Sequence, residues 1–91
     1  MGSVATKLGH FYIVKDSKIQ GGEPIIRGTR FPVRSVVFYI LKEGMLPEEL
    51  VKEFPQLTLS SVYDALAYYY DHKEEIDHLS TAHKICQVKK K

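Results

Sequence analysis

Apolar residues along this chain change period twice, and each change marks a new kind of element. The run His10-Phe11-Tyr12-Ile13-Val14-Lys15 is aromatic and β-branched, so it predicts a strand. Ile25-Ile26 predicts a second, short strand that pairs back on the first in a small antiparallel sheet. Between them, Gly21-Gly22 can supply the positive φ angles of a tight hairpin turn. Gly28-Thr29 predicts a second reversal, and Pro32 ends the extended segment while setting φ for a helix start.

From Val33 the period becomes helical. Val33, Val36, Val37, Ile40 and Leu41 fall at the spacing of one core-facing stripe, so a first helix is predicted over residues 33–43, with Gly44 suited to its C-terminal turn. A short second helix is predicted over 47–54. Pro47 opens it, Glu48 and Glu49 stand where the helix dipole favours acids, and Leu50, Val51 and Phe54 form its inner edge. Leu46 occupies the cap position and offers no acceptor there, a deficit worth about 0.5–2 kcal/mol. Thr58 is a good cap for a third helix reaching about Asp71, with Leu59, Val62, Leu66 and Tyr69 as its inner stripe and Ala65 beside them. Tyr68-Tyr69-Tyr70 cannot all face one core, so at least one lies at a rim or an interface. Residues 73–79 extend this helix or add a final turn. The expected organisation is a flexible segment 1–9, a single domain 10–79 and a basic, disordered tail 80–91. Its class is mainly α: a small helix-turn-helix, tri-helical and winged-helix-like domain with an N-terminal β hairpin.

Composition narrows the function. Ninety-one residues make one domain, and a chain this short buries only roughly 60–65% of its unfolded surface. No apolar run approaches a membrane span, and no secretory signal is visible. The single cysteine, Cys86, excludes an internal disulfide and fits the reducing cytoplasm. Charge is segregated: residues 1–42 carry +5, 43–77 carry −7 and 78–91 carry +4. Such segregation marks either two binding faces or simple solubility.

Candidate chemistry follows from that partition. Arg27, Thr29, Arg30 and Arg34 cluster in and after the hairpin, and Arg forks match phosphates and guanine edges. The bland alternative pairs one or two of these arginines with Glu23 or with acids of the second helix. On the third helix, Ser60, Ser61 and Tyr63 would meet base edges if that helix entered a groove, with Asp64 and Ala67 beside them. No Lys or Arg lies between Thr58 and His72, and Asp64 and Asp71 would repel phosphates. His72 and His78 stand six apart, which is not ligand spacing on a helix, and no metal site or other cofactor is expected. No Ser, Cys or paired-carboxylate arrangement suggests catalysis, so an enzyme is not expected.

The motifs Gly21-Gly22-x-Pro24-x-Ile26-x-Gly28-Thr29-Arg30-Phe31-x-Val33, Gly44-Met45-x-Pro47-Glu48-Glu49, Pro55-x-Leu57-Thr58, Ala65-Leu66-Ala67-Tyr68-Tyr69 and Asp71-His72-x-x-Glu75-Ile76-Asp77 together resemble the VapB-type antitoxin family. That family is catalogued as a domain of unknown function, number four-three-three, and the resemblance covers residues 10–77. It implies a helix-turn-helix fold with an N-terminal hairpin, and an antitoxin encoded beside a PIN-like ribonuclease toxin that binds operator DNA for autoregulation. Leu46 departs from the family's Ser before Pro47, and the tail after Asp77 carries no family motif. The acidic stretch offers partner-binding residues Glu48, Glu49 and Glu53, then Glu74, Glu75 and Asp77, with Tyr68 and Tyr70 as apolar anchors. The rival reading is a protein-interaction module, toxin-binding or structural, without DNA binding. A homodimer is expected, because a lone hairpin is marginal and the aromatics exceed the needs of one small core.

Overall fold

In a computed structural model of the chain, which describes residues 10–90 and side chains through residue 81, two strands precede four helices. Strand β1 (Ile13–Val14) pairs antiparallel with β2 (Ile25–Ile26) in the register Ile13 to Ile26 and Val14 to Ile25. The other edge of β2 takes a bridge from Pro32, with the Ile26 N–H donating to the Phe31 carbonyl at 2.9 Å. The hairpin is therefore shorter than the sequence suggests. Residues 10–12 form a turn instead of strand, because the Tyr12 N–H donates to Asp64 Oδ2 on a helix at 2.8 Å rather than to a neighbouring strand.

Gly21 and Gly22 have positive φ (66° and 87°), yet they do not make a two-residue hairpin loop. They sit in a 3-10 turn, Gln20–Gly22, within a longer connection. Asp16 starts that connection by accepting the Lys18 N–H on its carboxylate and the Ile19 N–H on its carbonyl, so two successive turns share the reversal. The second reversal is a tight one. Gly28 has φ 80°, and the Thr29 hydroxyl donates to the Ile26 carbonyl and accepts from the Phe31 N–H.

Helix α1 (Val33–Val37) passes directly into a π-helical turn, Phe38–Lys42. The wider turn shifts the face after Val37. Val33, Val36 and Val37 stay buried, Ile40 is half-buried, and Leu41, expected inside, is 45% exposed. Gly44 closes the element with φ 77°, while the Met45 N–H reaches back to the Tyr39 carbonyl. Helix α2 (Pro47–Glu53) lacks a capping acceptor on Leu46, as the sequence implies, but Glu49 Oε1 accepts the Leu46 N–H at 2.9 Å and supplies half of a capping box. Helix α3 (Leu59–Asp71) has the complete, reciprocal form: Thr58 Oγ1 accepts from the Ser61 N–H, and Ser61 Oγ accepts from the Thr58 N–H. Val62, Ala65, Tyr68 and Tyr69 face inward, whereas Leu59, placed on the inner stripe by its spacing, is 40% exposed in the first turn.

The chain kinks at His72 and enters α4 (Lys73–Lys90). No Gly or Pro follows Pro55, so nothing local stops this helix at residue 79. The side chains of the basic tail from Ala82 onward, and all of residues 1–9, lie outside the described residues. The kink folds Ile76 back into a core made with Val33, Val36, Leu50, Leu57, Val62 and Ala65. Fully buried Ile76 is the residue through which α4 joins the domain, so Ile76→Ala should cost about 2–5 kcal/mol in urea unfolding. A loss below about 1 kcal/mol would mean that α4 is not part of the cooperative unit.

Candidate interaction surfaces

The hairpin arginines have different fates. Arg34, the second residue of α1, is drawn inward: its Nε donates to Glu23 Oε1 at 2.9 Å, with the two side chains 13% and 5% exposed. A guanidinium held by a desolvated carboxylate is not offered to a phosphate, so Arg34 is a structural residue and not a DNA contact. Arg27 stays exposed but partly engaged. Its Nε donates to the Phe11 carbonyl at 2.9 Å, and its guanidinium carbon lies 4.5 Å from the centre of the Phe11 ring. Thr29 is spent on its turn. Arg30 is exposed and makes no ion pair among the described residues.

On α3 the residues expected to read bases also divide. Ser61 is 3% exposed and its hydroxyl completes the cap, so it is removed from any groove contact. Ser60 and Tyr63 point outward, Tyr63 with 53% of its surface exposed. Asp64, read in the sequence as a charge facing solvent, anchors the N-terminal segment. His10 Nδ1 lies 3.2 Å from its Oδ1, the Tyr12 N–H donates to its Oδ2, and His10 Nε2 meets Asp71 Oδ2 at 2.8 Å. Nothing along the chain singles out His10, since its partners lie more than fifty residues away.

The expected partner-binding set is likewise split. Glu48, Glu49 and Glu53 are exposed on α2, with Glu49 also holding the cap. Tyr70 is 59% exposed and Glu74 is exposed. Tyr68 is not available as an anchor: it is 8% exposed, stacks on His72 at 4.2 Å and donates its hydroxyl to Glu75 Oε1 at 2.8 Å. Glu75 is half-buried and also pairs with Lys15 Nζ at 2.8 Å, tying the residue after β1 to α4. Asp77 remains exposed while accepting the Tyr69 hydroxyl at 2.9 Å.

Burial pushes the Tyr68 phenol above its ordinary value, and the hydrogen bond and negative charge of Glu75 push it further. Burial of Glu75 opposes ionisation, but hydrogen bonds from Lys15 and Tyr68, with the charges of Lys15 and His72, outweigh it and hold the carboxyl below its usual range. Among the described residues no three His, Cys, Asp or Glu side chains are arranged to hold a metal ion. None of the described helices is long and apolar enough to cross a membrane.

A small, mainly helical domain with a two-stranded antiparallel hairpin at its N-terminus is thus defined. The chain belongs to the family described as a protein of unknown function, DUF433, whose model matches residues 13–69. It is similar to a DUF433 member protein from Anabaena variabilis ATCC 29413, whose crystal structure was solved at 2.00 Å resolution. The two share 32% identity and a TM-score of 0.69, over 84% of this chain and 73% of that one. None of the curated proteins matches the chain.

Two measurements check this geometry. Glu23→Gln leaves the half-buried Arg34 guanidinium without its counter-charge and should cost about 3 kcal/mol in urea unfolding, far beyond a surface ion pair. Glu75→Gln should cost about 1 kcal/mol at neutral pH. Because folding lowers the Glu75 pKa, its contribution is complete above the ordinary carboxylate range and disappears as pH falls through the lowered folded value. The stability gap between the parent and Glu75→Gln should therefore close on acidification, and a gap unchanged down to pH 2 would refute the assignment.

Proposed function

We propose that this chain is the antitoxin of a type II toxin–antitoxin pair, acting in the cytoplasm by direct protein contact with a PIN-like ribonuclease. The reading starts from the family resemblance, and one observation carries it toward protein contact. The candidate residues left at the surface are chiefly acidic and aromatic, while two of those expected to meet DNA, Arg34 and Ser61, are built into the fold. Nucleases of this kind surround an acidic metal pocket with an RNA-binding, basic rim, as the resemblance implies. Glu48 and Glu53 on α2, with Glu74 and Asp77 on α4, are exposed acids suited to such a rim, and Tyr70 is an exposed aromatic anchor. Complementary charge sets chiefly the rate of association.

Operator binding for autoregulation is the second reading, favoured by exposed Arg27 and Arg30 in the hairpin, which would act as the wing of a winged-helix-like domain. Helix α3 supplies Ser60 and Tyr63 to it but no cation, so phosphate neutralisation falls on the hairpin. Neither reading requires an active site.

Coexpression with the PIN-like reading frame adjacent to the gene tests the first reading. The full chain should relieve growth arrest, and removal of residues 80–91 should leave relief largely intact. Glu48→Lys with Glu53→Lys, which spares the capping Glu49, should slow association with the purified toxin about tenfold at low salt. No relief by the full chain, or relief lost on truncation and indifferent to charge reversal, overturns it. For the second reading, Arg27→Ala with Arg30→Ala should weaken promoter binding and flatten its salt dependence.

A further inference from the structure

Where the N-terminal turn crosses α3, a shallow groove of about 470 Å³ is lined by Phe11, Tyr12, Ser60, Tyr63, Asp64 and Ala67. Two large rings stand at the surface here, with Phe11 63% and Tyr63 53% exposed. The groove's one carboxylate, Asp64, has both oxygens occupied, by His10 Nδ1 and by the Tyr12 N–H. Arg27 lies over the Phe11 ring with Nε committed to the Phe11 carbonyl, and its terminal N–H groups have no acceptor among the described residues. The groove therefore presents aromatic surface and one outward positive charge. Exposed Tyr and Phe beside an Arg are the residue types that dominate protein contacts. A single cation with acidic Asp71 on the same helix is a poor platform for nucleic acid, which requires several phosphates to be neutralised.

The complementary surface is carried by the chain itself. Leu46 is 59% exposed before α2 and is flanked by exposed Glu43, Glu48 and Glu49. It is an aliphatic anchor bracketed by carboxylates. The geometry points to a contact between copies of this chain, in which Leu46 of one copy enters the Phe11–Tyr63 groove of another and its flanking glutamates meet Arg27. Each copy carries both halves once, so the contact either closes into a two-fold dimer or continues as a chain of copies. It does not rest on the antitoxin reading. Where a ribonuclease takes the same acids of α2, the two contacts exclude one another.

Sedimentation of the purified full chain alone, over 10–200 μM, tests this. Species larger than 10.4 kDa should form and should weaken as salt is raised. Tyr63→Ser, Arg27→Glu and Leu46→Asp should each lower the association constant about tenfold or more while circular dichroism stays that of the folded parent. Leu46→Asp also adds the capping acceptor that α2 lacks and should raise the melting temperature, so its weaker association is not a loss of fold. Complementation identifies the occupant. Phe11→Ser with Tyr63→Ser removes the groove and keeps Leu46, while Leu46→Asp removes the anchor and keeps the groove. Each variant should be monomeric alone, and an equimolar mixture should associate. A parent that stays monomeric at 200 μM overturns the proposal. So do groove variants that associate like the parent, Leu46→Asp with undiminished association, or a mixture that remains monomeric.

Discussion

The desolvated pair between Arg34 and Glu23 is the interaction on which the arrangement of this domain depends. A carboxylate 5% exposed has lost its water, and burying it is costly unless a cation and hydrogen bonds take that water's place. Glu23 follows the 3-10 turn and Arg34 opens α1, so satisfying the pair fixes where the hairpin sits relative to the first helix. Pro24, Ile25 and Ile26 are all buried there, Ile26 within the helical core, and the Pro24 carbonyl receives the Val33 N–H. The same requirement removes the most deeply placed arginine from the surface. Geometry of the fold and chemistry of the site are thus set by one charge pair.

A second set of polar contacts ties the ends of the domain together. His10 and Tyr12 meet Asp64 and Asp71 on α3, and Lys15 meets Glu75 on α4, so the segment before β1 and the residue after it are each fastened to a helix. Short strands of two residues offer few ladder hydrogen bonds of their own. Side-chain anchors to the helices do the work that a longer sheet would otherwise do. The acids that read in sequence as repelling nucleic acid are, in part, the hold on this segment.

The consequence for function is a redistribution of surface. Tucking Arg34, Ser61 and Tyr68 inside leaves Arg27, Arg30, Tyr63 and Phe11 on the hairpin side, and Glu48, Glu53, Tyr70 and Glu74 among the outward residues of the later helices. Exposed aromatic and acidic side chains are the surface on which the proposed protein contact rests.

Periodicity and turn chemistry by themselves located the first three helices, because Val33–Val36–Val37, Pro47 with its two glutamates, and the Thr58 cap are local signals. The positive φ at Gly28 and Gly44 was legible for the same reason. Pairing of Ile25-Ile26 with the first strand also followed from the chain order. Only the tertiary structure decided the rest. The π turn that exposes Leu41 answers to how α1 packs, not to its own spacing. The kink at His72 has neither Gly nor Pro to announce it, and its result, Ile76 in the core, depends on a cavity that other elements create. Which arginine is buried, which serine caps and which tyrosine is covered are settled by partners distant in sequence or by helix phase. A side chain's type can state what it is able to bind, but only the fold determines whether it is left free to do so.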